Sequence, residues 1–328
     1  MTQRASINDW FVLFSLTIFW GTSFVFNELA LAAVPPSVLV MVRLLLGFLV
    51  LVAALLASGQ GLPRPSRSWF PWLIIALLGT FLPMRLTAWA QLFIGSAETG
   101  VLMAITPLLV FFLAWVFLPR ERASGWQFSS LVFGFAGVCL LVEGDVAAGL
   151  RNNPHLLGLL AVLVAAFCYA MNSVYARRYA ASQPPLVLAT GTMLLASLLT
   201  APAAMDDLSM VVWPLPLSAV LALLMLGLIS TGLASVLYFR LVQGPGPVFT
   251  AQVTYGVPAW AVLTAAWVLQ EPIGARILLG LALILFGVAL TEWGGRRSRS
   301  RALPVADGHP LDATRAAVAA PAARPVSK

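Results

Sequence analysis

From Trp10 to Trp293 the chain is a succession of apolar runs about twenty residues long, separated by short stretches rich in Gly, Pro and Arg. That pattern leaves few options for folding. A helix of about 20 apolar residues is what crosses about 30 Å of hydrocarbon, and a segment in lipid must satisfy its own backbone hydrogen bonds. Ten runs qualify: Trp10–Leu31, Ser37–Ala57, Trp69–Leu92, Ala97–Phe117, Trp126–Val142, His155–Tyr175, Leu186–Ala203, Ser218–Leu241, Val248–Leu269 and Ala275–Trp293. Charged residues make up only 9% of the 328; a soluble domain carries about 25%. Too few charges are present to coat a water-facing surface, so the lipid bilayer is the expected solvent. The expected fold is an all-α membrane protein with ten transmembrane helices. Short links predict that consecutive helices pack as antiparallel neighbours.

The net charge of +7 does not point to nucleic acid, because the arginines lie between apolar runs and in the C-terminal stretch rather than on one face. Cys139 and Cys168 sit inside apolar runs, and the histidines are His155 and His309. These supply neither a disulfide framework nor metal-ligand spacing, and no cofactor is expected. The first run is longer than a signal-peptide core and follows a single Arg4, so it reads as a retained span.

The Lys/Arg distribution orients the spans. With the N-terminus in the cytoplasm, one side holds Arg4, Arg64, Arg67, Arg120, Arg122, Arg177, Arg178, Arg240, Arg296, Arg297, Arg299 and Arg301. The other side holds Arg151 and Arg276. The expected location is a bacterial-type inner membrane, multi-pass, with both termini cytoplasmic. Residues 294–328, rich in Ala, Pro and Arg, read as a disordered cytoplasmic tail.

A repeat runs through the chain. Pro107, Trp115, Glu121 and Gly137-Val138 are matched by Pro258, Trp267, Glu271 and Gly287-Val288. Proline to glutamate is 14 residues in the first copy and 13 in the second; glutamate to glycine is 16 in both. Trp20-Gly21-Thr22-Ser23 loosely matches Tyr169-Ala170-Met171-Asn172. A five-helix unit written twice, residues 8–146 and 155–293, must have its copies inverted, because five is odd. Inverted repeats recur in secondary transporters, with the solute site near the midplane.

Several of these stretches resemble the drug/metabolite transporter superfamily, in its ten-helix type with two EamA domains. They are Trp20-Gly21-Thr22-Ser23-Phe24, Arg43 after Pro35-Pro36, Ser96-Ala97 leading to Thr106-Pro107, then Glu121 and Gly137-Val138 with their second-half counterparts. The resemblance spans residues 8–293. It implies a ten-helix carrier with a central cavity, exporting metabolites such as amino acids. The Gly244-Pro245-Gly246-Pro247 stretch departs from the pattern, and no arginine in the seventh run answers Arg43.

Ionisable groups inside spans are costly and mark function. Arg43 and Arg85 are candidates to meet a solute carboxylate; Arg43 has the alternative role of stapling helix ends. Glu28 and Glu98 are candidates for coupling, and Glu28–Arg43 or Arg85–Glu98 pairs are expected. Polar and aromatic residues on helix faces add Trp20, Asn27, Trp89, Asn172, Tyr238, Gln252 and Tyr255 as substrate-binding candidates, with helix–helix hydrogen bonding as the alternative for Ser and Thr. Pro107 and Pro258 are hinge candidates, each removing a backbone hydrogen bond at mid-depth. No catalytic motif is present: there is no Gly-x-Ser-x-Gly, no His-Glu-x-x-His and no phosphate loop. The function expected is secondary transport of a small organic solute by alternating access; a channel, or a membrane-embedded enzyme or receptor, is the alternative. Oligomeric state is not legible.

Overall fold

A computed structural model describes residues 5–64, 69–117, 125–148, 153–179, 183–245 and 247–301. Among these the chain is all-helical. The helices are α1 (Ile7–Leu31), α2 (Pro36–Ala57), α3 (Trp69–Ala90), α4 (Ser96–Phe117), α5 (Gly125–Ala148), α6 (Pro154–Tyr179), α7 (Pro185–Asp207), α8 (Leu217–Gln243), α9 (Val253–Val268) and α10 (Ala275–Arg301). A single turn, Pro247–Thr250, leads into α9. Seven helices are long and apolar enough to cross a membrane: α1 to α4 and α6 to α8. The apolar parts of the other three are shorter: Phe128–Val142, Val253–Val268 and Ala275–Thr291.

Local sequence explains the ends. Ser6 caps α1 through a reciprocal pair: its Oγ accepts from Asp9 N at 3.3 Å, and its own N–H donates to Asp9 Oδ2 at 2.9 Å. Proline occupies the first turn of α2 and α7, where its missing N–H costs nothing. The last helix runs on to Arg301. The first eight residues of the expected disordered tail are therefore helical, since Gly294-Gly295 weakens a helix without removing a hydrogen bond. Residues 302–328, together with Arg67, Arg120, Glu121, Arg122 and Arg151, lie outside the described residues.

The expectation that consecutive helices are main neighbours is overturned. The extensive packing pairs α5 with α10, α2 with α7 and α8, α1 with α8 and α9, α3 with α6 and α7, and α4 with α6 and α9. Consecutive helices touch sparingly. Each pairing maps onto another, or onto itself, when helix n is exchanged with helix n+5. The physical reason is that lipid provides no hydrophobic drive for a hairpin to close on itself, so close approach at small residues decides partners. A Cβ at Gly100 of α4 would lie 2.5 Å from Ala261 Cβ of α9, and one at Gly287 of α10 would lie 2.6 Å from the Ser130 carbonyl of α5.

Two helices carry π-helical stretches. Leu77–Phe81 of α3 and Met225–Leu233 of α8 are π-helical. The two stretches overlap when shifted by the repeat period of about 150 residues, and nothing in the residue pattern announces them. Pi segments are rare and cluster at functional sites. Pro107 lies at the second position of a new segment, Thr106–Phe117, after a turn at Ala104–Ile105, whereas Pro258 lies inside α9.

Candidate functional site

At the end of the bundle opposite Ile7, polar side chains from five elements form one chain of hydrogen bonds. It begins at Arg43 of α2, seven residues past the start of the helix and so roughly 10 Å deep. Arg43 Nε donates to Thr231 Oγ1 on the π segment of α8 at 2.8 Å, and Nη1 donates to Asn27 Oδ1 of α1 at 3.2 Å. Gly47, one turn on from Arg43, lets α2 and α8 meet here: a Cβ on it would lie 2.8 Å from Thr231 Cγ2. Asn27, only 3% exposed, donates through Nδ2 to Gln91 Oε1 at 2.9 Å. Gln91 follows the last residue of α3 and donates to the Phe24 carbonyl at 2.9 Å and to Ser96 Oγ at 3.1 Å. Each amide oxygen has a donor and each amide nitrogen an acceptor, as buried polar groups require.

Ser96, the first residue of α4, collects two carboxyls. Its hydroxyl donates to Glu28 Oε2 at 2.6 Å, with the Phe24 carbonyl also in reach at 3.0 Å. Its backbone N–H donates to Glu271 Oε1 at 2.9 Å, and the Ala97 N–H donates to Glu271 Oε2 at 3.1 Å. Glu271 thus caps α4 from the link between α9 and α10, where a carboxylate meets unsatisfied N–H groups and the positive end of the helix dipole. Its position is set by Gln270, whose φ of 56° turns the chain back at the end of α9, and by the Glu271 N–H bonding the Ala265 carbonyl at 3.3 Å. Burial pushes the Glu271 carboxyl above the ordinary range; the Ala97 and Ser96 N–H groups pull it down, and neighbouring Glu28, within hydrogen-bonding reach, pushes it up again, with a net rise.

The expected ion pairs do not form. Arg43 meets Asn27 rather than Glu28, because neighbouring residues on a helix point about 100° apart, so one faces α2 while the other faces α4. Glu98 pairs with His155 at 2.9 Å, not with Arg85. Among the described residues neither hydrogen-bond partner of Arg43 is charged. The Tyr169 phenol lies within electrostatic reach of the guanidinium.

Other candidates fall elsewhere. Asn172 of α6 rests on the π segment of α3: a Cβ at Gly79 would lie 2.5 Å from its Nδ2, and its Oδ1 is buried without a partner. Arg85 Nη1, just beyond the same π segment, is likewise buried without a partner. Trp20 packs on Tyr238 at 5.6 Å. Tyr255 OH donates to the Val288 carbonyl of α10 at 3.3 Å. Trp89, 39% exposed, packs on Phe93 and makes no bond into the Arg43 chain. Gln252 lies in the turn before α9, half-buried. Residue-by-residue reading missed Gln91 altogether and gave Ser96 and Glu271 no role in a site; it left Thr231, on a polar face of the eighth run, open to either a cavity or a helix–helix hydrogen bond. Glu271 was visible as a repeat position; nothing marked Gln91.

Known proteins agree with this architecture. The EamA-like transporter family matches residues 10–143 and again 156–293. The uncharacterized transporter YvbV of Bacillus subtilis is 24% identical over 93% of this chain and 98% of its own length. The uncharacterized inner membrane transporter YedA of Escherichia coli is 28% identical over 86% of this chain and 90% of its own. The aromatic amino acid exporter YddG of Ancylobacter novellus is 30% identical over 51% of this chain and 57% of its own. One solved crystal structure superposes with a TM-score of 0.64 at 26% identity, over 89% of this chain and 99% of that one. With the family matching twice along most of its length, this chain belongs to the EamA-like transporters, multi-pass membrane proteins of the drug/metabolite superfamily.

Proposed function

We propose that the chain is a secondary carrier that exports a small organic solute bearing a carboxylate, such as an amino acid, by alternating access. The observation that carries this is Arg43: a cation inside the bundle, held between the two halves by neutral partners, Asn27 in one and Thr231 in the other. A buried charge of this kind is expensive unless it has a counter-charge, and a solute carboxylate supplies one. The two bonds use two of the five N–H donors of a guanidinium. Arg85 and Asn172, each with a buried unpartnered atom beside the π segment of α3, belong to the same solute path. Trp20, Tyr238, Gln252 and Tyr255 line its apolar walls, and Trp89 its mouth. Relatives named as transporters, one of them an aromatic amino acid exporter, support the reading.

In this reading ten helices cross the bilayer as two inverted repeats, residues 8–146 and 155–293, with both termini cytoplasmic. The packing that survives exchange of helix n with helix n+5 supports it. The break just before Pro107, Pro258 inside α9 and the two π segments are where the helices bend as the halves rock. The test is uptake of a labelled amino acid and metabolite panel by liposomes containing the protein, repeated with Arg43→Ala and Arg85→Ala. Transport of one anionic or zwitterionic solute, abolished by Arg43→Ala, is the expected result. No movement of any solute under any gradient overturns the carrier reading.

A further inference from the structure

We propose that Glu28 and Glu271 form a pH-operated clasp: one proton shared between their carboxyls ties the two halves together at this end of the bundle, and its loss to water lets the end open. The proposal rests on the carrier reading for its halves. Its geometry stands on its own.

Two carboxyls approach the same serine from opposite halves of the sequence. Ser96 Oγ donates to Glu28 at 2.6 Å, and Ser96 N donates to Glu271 at 2.9 Å. The two side chains are also within hydrogen-bonding reach of each other. Ionised carboxylates only accept hydrogen bonds, so a hydrogen bond between the two forms only when one of them carries a proton. Like charges this close cannot both ionise without mutual cost, the arrangement that splits the titration of paired acids.

No cation contacts either carboxyl among the described residues. On α4 itself, Glu98 is taken by His155 of α6 at 2.9 Å. Arg276 of α10 donates to the Leu140 and Leu141 carbonyls of α5, both at 2.7 Å. Arg43 of α2 is reached only through Asn27 and Gln91. Asp207 of α7 is taken by Ser37. Glu143 and Asp145 of α5 lie beyond the described side chains. Among the described residues, a fully ionised pair is therefore compensated by neutral donors: the Ser96 hydroxyl at Glu28 and the backbone N–H groups of Ser96 and Ala97 at Glu271.

The sign follows. The raised Glu271 carboxyl binds its proton more firmly in the closed arrangement than in water. Closure is thus favoured below the ordinary glutamate range and is lost as pH rises through the raised value. Once the proton has left, two anions face each other across Ser96, and the link carrying Glu271 is driven from the N-terminus of α4. The same serine touches Gln91, so the state of the clasp reaches Asn27 and Arg43 through three hydrogen bonds.

The experiment is double electron–electron resonance on the full chain in lipid nanodiscs, without solute. Spin labels go at Leu92→Cys and Gly274→Cys, with Cys139 and Cys168 replaced by serine. Leu92 is exposed, and a Cβ at Gly274 meets nothing within 4 Å. The expected result is a single short distance at pH 4 and a longer population that grows as the pH rises above the ordinary glutamate range. Glu271→Gln, whose amide supplies the shared hydrogen permanently, keeps the short distance to pH 9. Glu28→Gln behaves likewise and covers the case in which Glu271→Gln fails to fold. A native distance unchanged from pH 4.5 to 9, or a variant that moves with pH as the native chain does, overturns the clasp. Solute uptake is not read in this measurement, so that outcome leaves the carrier proposal standing, and absence of transport in liposomes leaves the clasp standing.

Discussion

Gly95 leaves no room for a β-carbon beside Glu271: one built on its backbone would lie 2.7 Å from Glu271 Oε2. The neighbour is the far end of a flexible side chain, so Gly95→Ala displaces a carboxylate rather than a helix. Its bonds to Ser96 N and Ala97 N are then lost. The expected cost is about 1–2 kcal/mol, from two buried donors left without an acceptor. Thermal unfolding in detergent checks it.

Gly227 is a stricter case. Its β-carbon would lie 2.4 Å from Leu46 Cβ, an atom that cannot move without α2. Gly227→Ala should cost about 1–3 kcal/mol, the usual range for overpacking, and separate α2 from the π segment of α8. Gly61→Ala, where nothing lies within 4 Å, is the control and should leave the melting temperature unchanged.

Gln91→Leu removes the hub of the hydrogen-bond chain. It strands Asn27 Nδ2 and takes a donor from the Phe24 carbonyl and Ser96 Oγ. A loss of about 2–3 kcal/mol is expected. Asn27 would then no longer hold Arg43, so the apparent affinity for solute should fall along with stability; equilibrium binding on the folded fraction separates the two effects.

Gln270 is the described non-glycine residue with positive φ, at 56°. A left-handed residue with a β-carbon costs roughly 1–2 kcal/mol, and glycine is favoured at the position after a helix end. Gln270→Gly should therefore raise the thermal midpoint, by an amount corresponding to about 1 kcal/mol. A lower midpoint would show that the Gln270 amide, which donates to the Trp267 carbonyl at 2.7 Å, is worth more than the backbone strain.

Arg43→Lys keeps the charge but not the fork. Nε and Nη1 point to different helices, and an ammonium on a flexible stem cannot hold both bonds in that geometry. Uptake should fall by about tenfold or more in apparent affinity, corresponding to about 1.4 kcal/mol, while the protein still folds.

Much of the fold was legible because lipid imposes a simple rule. Every apolar run became a helix, with most starts within a few residues of the expected ones: Ser37 against Pro36, Ala97 against Ser96, Leu186 against Pro185. Neighbour relations were not legible, since they depend on which small residues face each other across helices far apart in sequence, as Gly100 and Ala261 do. The site was legible in part. Arg43, Asn27 and Glu28 stand out as polar residues in apolar runs. Gln91 and Ser96 sit at helix ends, where polar residues are ordinary, and acquire their roles only once α1, α3 and α4 meet. The Glu28–Arg43 pairing failed for a local reason: charge suggested it, and the angular offset from Asn27 forbade it.

The π-helical stretches of α3 and α8 have a consequence for how these helices are clocked. A π turn carries one residue more than an α turn, so every side chain beyond it is rotated by about 100° from where uninterrupted α-helical counting would put it. Arg85 lies four residues past Phe81, and Ser235 and Tyr238 follow Leu233. Their directions are set by that offset, independently of the half of each helix that precedes it. Deleting one residue from Leu77–Phe81 would remove the extra residue and its offset together, leaving a continuous α-helix with Arg85 on its present face and the Trp69 end in place.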